Sequence, residues 1–301
     1  MREKKSSLLA WVILGGGGVL FLTVSLMALV LFFFSDGSSL SLSFPFEQVA
    51  VLELEGIIFD SKEFNDQLKD YGNRPAVKAI VLRINSPGGG VAASQEIYEA
   101  VKRIRATTNK KVITSMASVA ASGGYYVACA SDKIYANPGT ITGSIGVIAE
   151  WYNYGDLLHW AKLQSIIFKS GELKDAGSPT RPLTEQEKLF FQGLINSMHS
   201  QFVTAVADGR KMKEEKVRKL ADGRVYTGVE AKINGLVDEV GTLQDAIASA
   251  AQGAGISGDP RTISPVRKRT SLLDLLGSSR RALSLNPDTS ESHIRFEYLW
   301  R

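Results

Sequence analysis

The stretch that decides the fold is AIVLRINSPGGGVAASQEIYEAVKRIRA (79–106), followed after four residues by KVITSMASVAASGGYYVACA (111–130). Each half opens with a short continuous apolar run, AIVLRI and KVITSM, of the length expected for a buried strand. Each then meets a glycine-rich turn, NSPGGG (85–90) and ASVAASGG (117–124), and enters a helix. In the first helix Ile97, Val101 and Ile104 fall on one face at helical spacing, with charged residues opposite. Strand, turn, helix, repeated, predicts a parallel α/β sheet.

Reading outward, VAVLELEGII beyond Gln48 alternates like a half-buried strand, and polar residues 61–71 read as a helix. DKIYANPGTITGSIGVI (132–148) gives short strands around Asn137-Pro138-Gly139. A long amphipathic helix spans 184–208, opened by a capping box of Thr184 and Glu187. Shorter helices are expected at 213–221, 227–233 and 242–251. From Ser257 the periodicity fades, apart from SLLDLLG and FEYLW near the end. No internal repeat is visible. The expected divisions are 1–7, 8–34, a serine-rich linker 35–47, an α/β domain 48–255, and a basic tail 256–301. That tail is expected to be mobile, to lie on a membrane or to dock on a neighbouring copy.

Residues Leu8 to Phe34 form 27 positions without a charge. About 20 apolar residues suffice to cross a bilayer core. The run is long for a signal peptide's apolar region and ends in bulky Phe32, Phe33 and Phe34, so a retained anchor is expected rather than a cleaved leader. MREKKSS before it is basic, and SDGSSLSLS after it carries one acid and no base. The positive-inside bias then leaves the N-terminus cytoplasmic and the rest of the chain outside.

The composition narrows the chemistry. The 301 residues are 44% hydrophobic with a net charge of +4, and much of the basic surplus sits near the two ends. This distribution suits membrane headgroups, not a nucleic-acid surface. One cysteine, Cys129, excludes an internal disulfide and a cysteine-rich zinc site. The three histidines, His159, His199 and His293, are scattered without metal-ligand spacing. Neither metal nor cofactor is expected.

Two turns could carry chemistry, because unpaired N–H groups at a helix start point toward a ligand. The first, Ser86-Pro87-Gly88-Gly89-Gly90, lacks the lysine and Ser/Thr of a P-loop and fits a tight turn as well as a phosphate cradle. The second, Ala120-Ala121-Ser122-Gly123-Gly124, resembles a nucleophile elbow with alanine in place of the first glycine. There the Ser122 hydroxyl would be exposed and the Gly123 N–H would face a developing oxyanion. The alternative is a serine that merely caps a helix. A serine nucleophile needs a base. No histidine occupies a comparable loop, and a lysine can serve where burial leaves it neutral. Lys174, in the Gly/Pro-bounded SGELKDAGSP, is one candidate among 35 lysines and arginines. Adjacent Asp175 must point away from it, since an ion pair would hold Lys174 protonated.

INSPGGGV (84–91), SMASVAASGGYYVACA (115–130), TGSIGV (142–147), KSGELKDAGSPTRPLTEQE (169–187) and DGRVYTGVEAKINGLVDEVG (222–241) resemble the signal peptide peptidase A family in its short, single-domain form. The resemblance runs from about residue 48 to 250. It implies the Clp protease/crotonase fold and a Ser–Lys dyad that degrades cleaved signal peptides. By position it makes Ser122 the nucleophile, Lys174 the general base and Ser144 the hydroxyl that orients the lysine. Gly89 and Gly123 become the two backbone donors of the oxyanion hole. It further implies a bacterial inner-membrane location and a dome-like homo-oligomer whose neighbouring chains help build each site. Substrates would be signal-peptide remnants and other apolar peptides, with small or aliphatic side chains favoured and the peptide adding as a strand beside 89–92. Two other readings fit parts of the pattern: a related Ser–Lys protease with another membrane-protein target, and a non-peptidase crotonase-like protein.

Overall fold

Strand β1 (Gln48–Glu55) shows how the sheet is covered. Side chains alternate across a strand, so Ala50, Leu52 and Leu54 face one layer while Val49 and Val51 face the other. Both sets are buried, in two separate apolar clusters. The strand is therefore covered on both faces, where the alternation alone suggests one.

A computed structural model describes residues 25–27, 47–266 and 295–300 of the chain, with backbone alone at 295 and 296. The chain divides into two units, 1–45 and 46–301. In the first, a helical turn at 25–27 is described. The expected anchor 8–34 otherwise lies outside the described residues, as does most of the tail. Among the described residues no helix is long and apolar enough to cross a membrane.

The second unit is mixed α/β with a largely parallel sheet, as expected. After β1 come α1 (Lys62–Asn73), β2 (Val77–Ser86), the short β3 (Gly88–Gly90) and α2 (Val91–Thr108). β4 (Lys111–Ala121), α3 (Gly123–Ala128), β5 (Lys133–Ala136), β6 (Ile141–Gly143) and β7 (Ile148–Glu150) follow. A loosely packed stretch holds α4 (Gly155–Trp160) and a single 3₁₀ turn at Glu172–Asp175. The long α5 (Glu185–Arg210) carries the expected capping box of Thr184 and Glu187. The chain continues through α6 (Glu214–Leu220), β8 (Val225–Thr227), α7 (Gly228–Asn234), β9 (Glu239–Val240) and α8 (Leu243–Gly253). It ends in β10 (Arg261–Ile263) and β11 (Arg295–Leu299).

The main sheet runs β10-β1-β2-β4-β5-β9, all pairs parallel. α8 covers one face through Ala246, Ile247 and Ala250, which pack with Val49, Val51, Ala79, Val81 and Ile113. The opposite face meets Ile97, Val101 and Ile104 of α2, the buried α3, and Phe202 and Val203 of α5. Each fully buried Leu or Ile contributes about 1.5–3 kcal/mol to this packing.

Two differences from the sequence reading bear on function. ASVAASGG reads as a turn from residue 117, yet β4 stays extended to Ala121. The strand changes partner: it leaves β5 at Met116 and pairs with β6 from Val119 to Ala121. Thr140 and Thr142 fasten this corner, donating to the carbonyls of Ala117 and Ala120 at 2.7 Å each. The second difference concerns the far end of the chain. β10 joins the edge of the main sheet, while β11 lies antiparallel between β3 and β7 in a small second sheet. Both strands fall within the region read as tail.

Candidate active site

Because β4 stays in the sheet to Ala121, the reversal into α3 falls on Ser122. Its backbone has φ +52° and ψ −116°. A non-glycine residue held there stores about 1–3 kcal/mol of strain. Two backbone bonds hold it: Ser122 N–H donates to the Gly143 carbonyl, and the Ser122 carbonyl accepts from Tyr126 N–H, both at 2.8 Å. The side chain makes no capping hydrogen bond, and the left-handed φ is not that of an ordinary N-cap. The hydroxyl is left uncommitted at a buried corner, since Ser122 is 1% exposed.

Gly88 and Gly89 approach this corner from the first turn. Gly88 has φ +103°, and a methyl there would lie 1.9 Å from the Tyr298 carbonyl oxygen and 2.7 Å from the Gly123 nitrogen. A methyl on Gly123 would lie 3.2 Å from the Gly89 nitrogen and 2.5 Å from Ser94 Oγ. The backbone around Gly89 and Gly123 thus converges on one point beside Ser122, where only glycine fits. Ser86 Oγ accepts from Gly88 N–H at 3.1 Å, and Ser94 Oγ donates to the Gly90 carbonyl at 3.0 Å, so the turn is fixed from below.

Ser144 is brought to the same corner. It follows Gly143, the partner of Ser122, is buried, has φ +49°, and donates its N–H to the Arg224 carbonyl at 2.8 Å. An open cavity of about 510 Å³ lies against it, bordered by Ile145, Ile195, His199, Leu299 and Trp300 among others.

Lys174 is not brought there. It sits in the 3₁₀ turn, exposed, and its ammonium forms no hydrogen bond to Ser122 or Ser144 and no ion pair with Asp175. The Asp175 carboxylate is instead held by Lys169 at 2.7 Å and Arg181 at 2.8 Å. These partners, Lys169 first, hold its pKa at about 2. Arg181 also forks onto buried Glu187, at 2.6 and 2.9 Å, and lowers that carboxyl to about 2. This network ties the loop to the start of α5, and the sequence reading missed its arginine. Around it Tyr152, Leu157, Trp160, Leu163, Ile166 and Phe168 are exposed. α4 buries nothing.

Neither described histidine bonds to Ser122 or Ser144, although His199 borders the cavity. His159 is exposed in α4, and the His199 ring meets the Ala221 carbonyl at 2.9 Å. Cys129 is buried, which pushes its thiol up to about 12.

Sequence comparison gives the family. The Clp protease family model matches residues 61–140, and that of peptidase family S49 matches 104–257. Over 216 residues the chain is 39% identical to "Putative signal peptide peptidase SppA" of Enterococcus faecium, covering 67% of this chain and 62% of that protein. It is 38% identical to "Protease 4" of Salmonella typhi over 213 residues, 68% of this chain and 34% of the other. With "Serine protease SPPA, chloroplastic" of Arabidopsis thaliana it shares 34% identity over 238 residues, 79% and 33% of the two chains. It therefore spans less than two thirds of each of these relatives. The S49 match takes in half of the chain, including the strained elbow, the β4–β6 corner and the Lys174 loop, and the chain belongs to peptidase family S49.

Proposed function

We propose that the chain is a membrane-anchored serine endopeptidase that degrades cleaved signal peptides, with Ser122 as nucleophile and Lys174 as general base. The observation that carries this reading is the Ser122 elbow: strained, free of any capping bond, and set beside the glycine backbone at 88–89 and 123. Gly89 and Gly123 N–H groups would receive the oxyanion as Ser122 Oγ adds to a peptide carbonyl. A neutral Lys174 takes the Ser122 proton during attack and returns it to the leaving amine. The acyl-enzyme is then hydrolysed by water activated by the same amine, which restores the Ser122 hydroxyl. Ser144, one residue beyond the partner of Ser122, would orient that amine.

Lys174 is exposed in the single chain, and a base of this kind works where it is desolvated. The apolar residues exposed around it fit a surface that a second copy covers. The reading is accordingly a homo-oligomer in which a neighbour's Lys174 loop completes each Ser122 corner. The run 8–34 anchors each copy in the bacterial inner membrane with the N-terminus cytoplasmic, so the domain meets remnants left in the bilayer from outside.

Turnover of a labelled signal peptide by the wild type, Ser122→Ala and Lys174→Ala tests the assignment. Loss in both variants with the assembly intact is expected. Full turnover by either variant would overturn the dyad.

A further inference from the structure

Ser122 lies at the carboxyl ends of the parallel strands, and the opposite rim of the same sheet is basic. Gln48 pairs with Val77, Ala79 with Lys111 and Ile113 with Lys133, so the amino ends of β1, β2, β4 and β5 form one rim. From Lys111 to Ala121 β4 alone spans about 30 Å at the rise of a parallel strand. On this rim the end of α2 and the start of β4 border an open cavity of about 330 Å³. Besides Ala106 and Asn109, four cations (Lys102, Arg105, Lys110 and Lys111) and one carboxylate, Asp132, line it.

Asp132 does not balance these cations. Its Oδ1 takes Arg105 at 2.8 Å and stands 3.8 Å from Lys111, while Oδ2 accepts from Val112 N–H at 2.9 Å. The Lys110 ammonium donates to the Gly72 and Arg74 carbonyls and meets no carboxylate among the described residues. Burial lowers its pKa, and the charge of nearby Lys78 lowers it further, as happens where cations are in excess. Lys102 faces Glu99 at 3.5 Å in an exposed pair, the kind that contributes little. Further along the rim, Glu47, Asp70 and Glu239 face Lys78, Arg74 and Lys133. The side chains of Lys102 and Lys111 remain 45% and 52% exposed, so both ammonium groups are free to meet an outside anion.

We propose that this rim is a docking face for anionic phospholipid: headgroup phosphates enter the cavity among Lys102, Arg105, Lys110 and Lys111, and the Ser122 corner stands at the far end of the sheet. The chain enters the domain at this same rim, where Glu47 meets Lys78 and Gln48 opens β1. On the anchor reading that entry comes from the bilayer, which makes lipid the anion nearest to hand and leaves nucleic acid on the other side of the membrane. Each lysine or arginine near an anionic surface strengthens attachment about fivefold. A signal-peptide remnant then has to be drawn out of the bilayer along the length of the sheet to reach Ser122. The choice of lipid as partner rests on the anchor reading; the peptidase chemistry does not enter it.

The test is lysine acetylation, read by mass spectrometry, on the full chain in vesicles of phosphatidylcholine alone or with about one third phosphatidylglycerol. Lys78, Lys102 and Lys111 should be acetylated at least about fivefold more slowly on the phosphatidylglycerol vesicles. Lys188, exposed at the start of α5, should react equally on both. The protection should fade in about 1 M salt, where charges are screened within about 3 Å. Equal acetylation on the two kinds of vesicle would overturn the proposal. So would protection as strong from inorganic phosphate or a DNA duplex added to phosphatidylcholine vesicles, which would make the rim a small-anion or nucleic-acid site. In Lys102→Gln/Lys111→Gln the protection of Lys78 should largely disappear while turnover of a soluble peptide is unchanged; full protection in this variant would also refute the docking face. Should the variant fail to fold, the comparison of the two lipids on the wild type decides alone. If the chain does not stay with phosphatidylcholine vesicles, the anchor reading fails, and the footprint on phosphatidylglycerol still decides the face.

Discussion

The Ser122 corner and the Lys174 loop carry the two ends of the same proposed proton transfer, yet the chain builds them in opposite ways. At the corner, parallel strands β2, β4 and β6 bring 86–90, 120–123 and 142–144 together, and Ser86, Ser94, Ser122, Thr142 and Ser144 are all buried. Backbone hydrogen bonds and close glycine contacts fix every group there. From 151 to 181 the chain leaves the core, forms one short helix and one 3₁₀ turn, and turns bulky apolar side chains outward, with Phe168 at 96% exposure. What holds that loop is a charge network through Arg181. In the proposed reading one chain therefore completes the nucleophile half of the site, leaves the base half on its surface, and relies on contact with another copy to finish it.

The difference can be attacked from either end. The largest effect is expected at the corner: Ser122→Ala should lower kcat/KM on a labelled signal peptide at least about 10³-fold. Its thermal midpoint should stay near that of the wild type. Ser122→Gly should be equally inactive but raise the midpoint by a few degrees, because glycine relieves the strain at φ +52°. A lower midpoint for Ser122→Gly would show that the elbow is not strained.

Next comes Gly88→Ala, which forces a methyl against the Tyr298 carbonyl and the Gly123 nitrogen at a left-handed backbone position. Denaturant unfolding should show a loss of about 3 kcal/mol, and turnover should fall with it. A silent Gly88→Ala would mean that the convergence at the corner is loose. On the loop, Phe168→Asp should leave the midpoint unchanged while sedimentation shifts toward smaller species and turnover drops about tenfold. An unchanged assembly would remove the reason given for the exposed apolar residues.

The smallest effect concerns Arg181→Ala, expected to lower the midpoint by a few degrees at neutral pH. Asp175 and Glu187 have folded pKa values depressed to about 2, below ordinary carboxylates near ~4. Their contribution is thus present above pH ~4 and lost as pH falls toward about 2. The gap between wild type and Arg181→Ala should be constant from neutral pH to about 5 and close on further acidification. A gap that persisted at pH 2 would place the loop's anchorage elsewhere.

The same contrast explains what could be read from the sequence. Continuous apolar runs and glycine-rich turns announce a parallel sheet, and the capping box at Thr184 and Glu187 announces α5; these are local signals. Ser122 was visible as an elbow for the same reason, though resemblance was needed to single out Lys174 and Ser144. The extension of β4 to Ala121 was not legible, because it follows from a change of partner strand that no local pattern records. Nor was the place of β11: FEYLW stands out only as a short run in an otherwise unpatterned tail, and its pairing with residues some 200 positions earlier is set by the fold. Arg181 was hidden among many charges, its meaning fixed by two carboxylates that the loop brings to it.

The most direct test of a site divided between copies is complementation. Ser122→Ala chains keep the lysine and Lys174→Ala chains keep the serine. Co-expressed and co-purified in equal amounts as a mixed assembly, they should recover about one quarter of wild-type turnover of the labelled signal peptide by random pairing of neighbours. Each variant alone should be inactive. A mixed assembly as inactive as its parents would contradict the account, because it would place both groups of each working site in one chain.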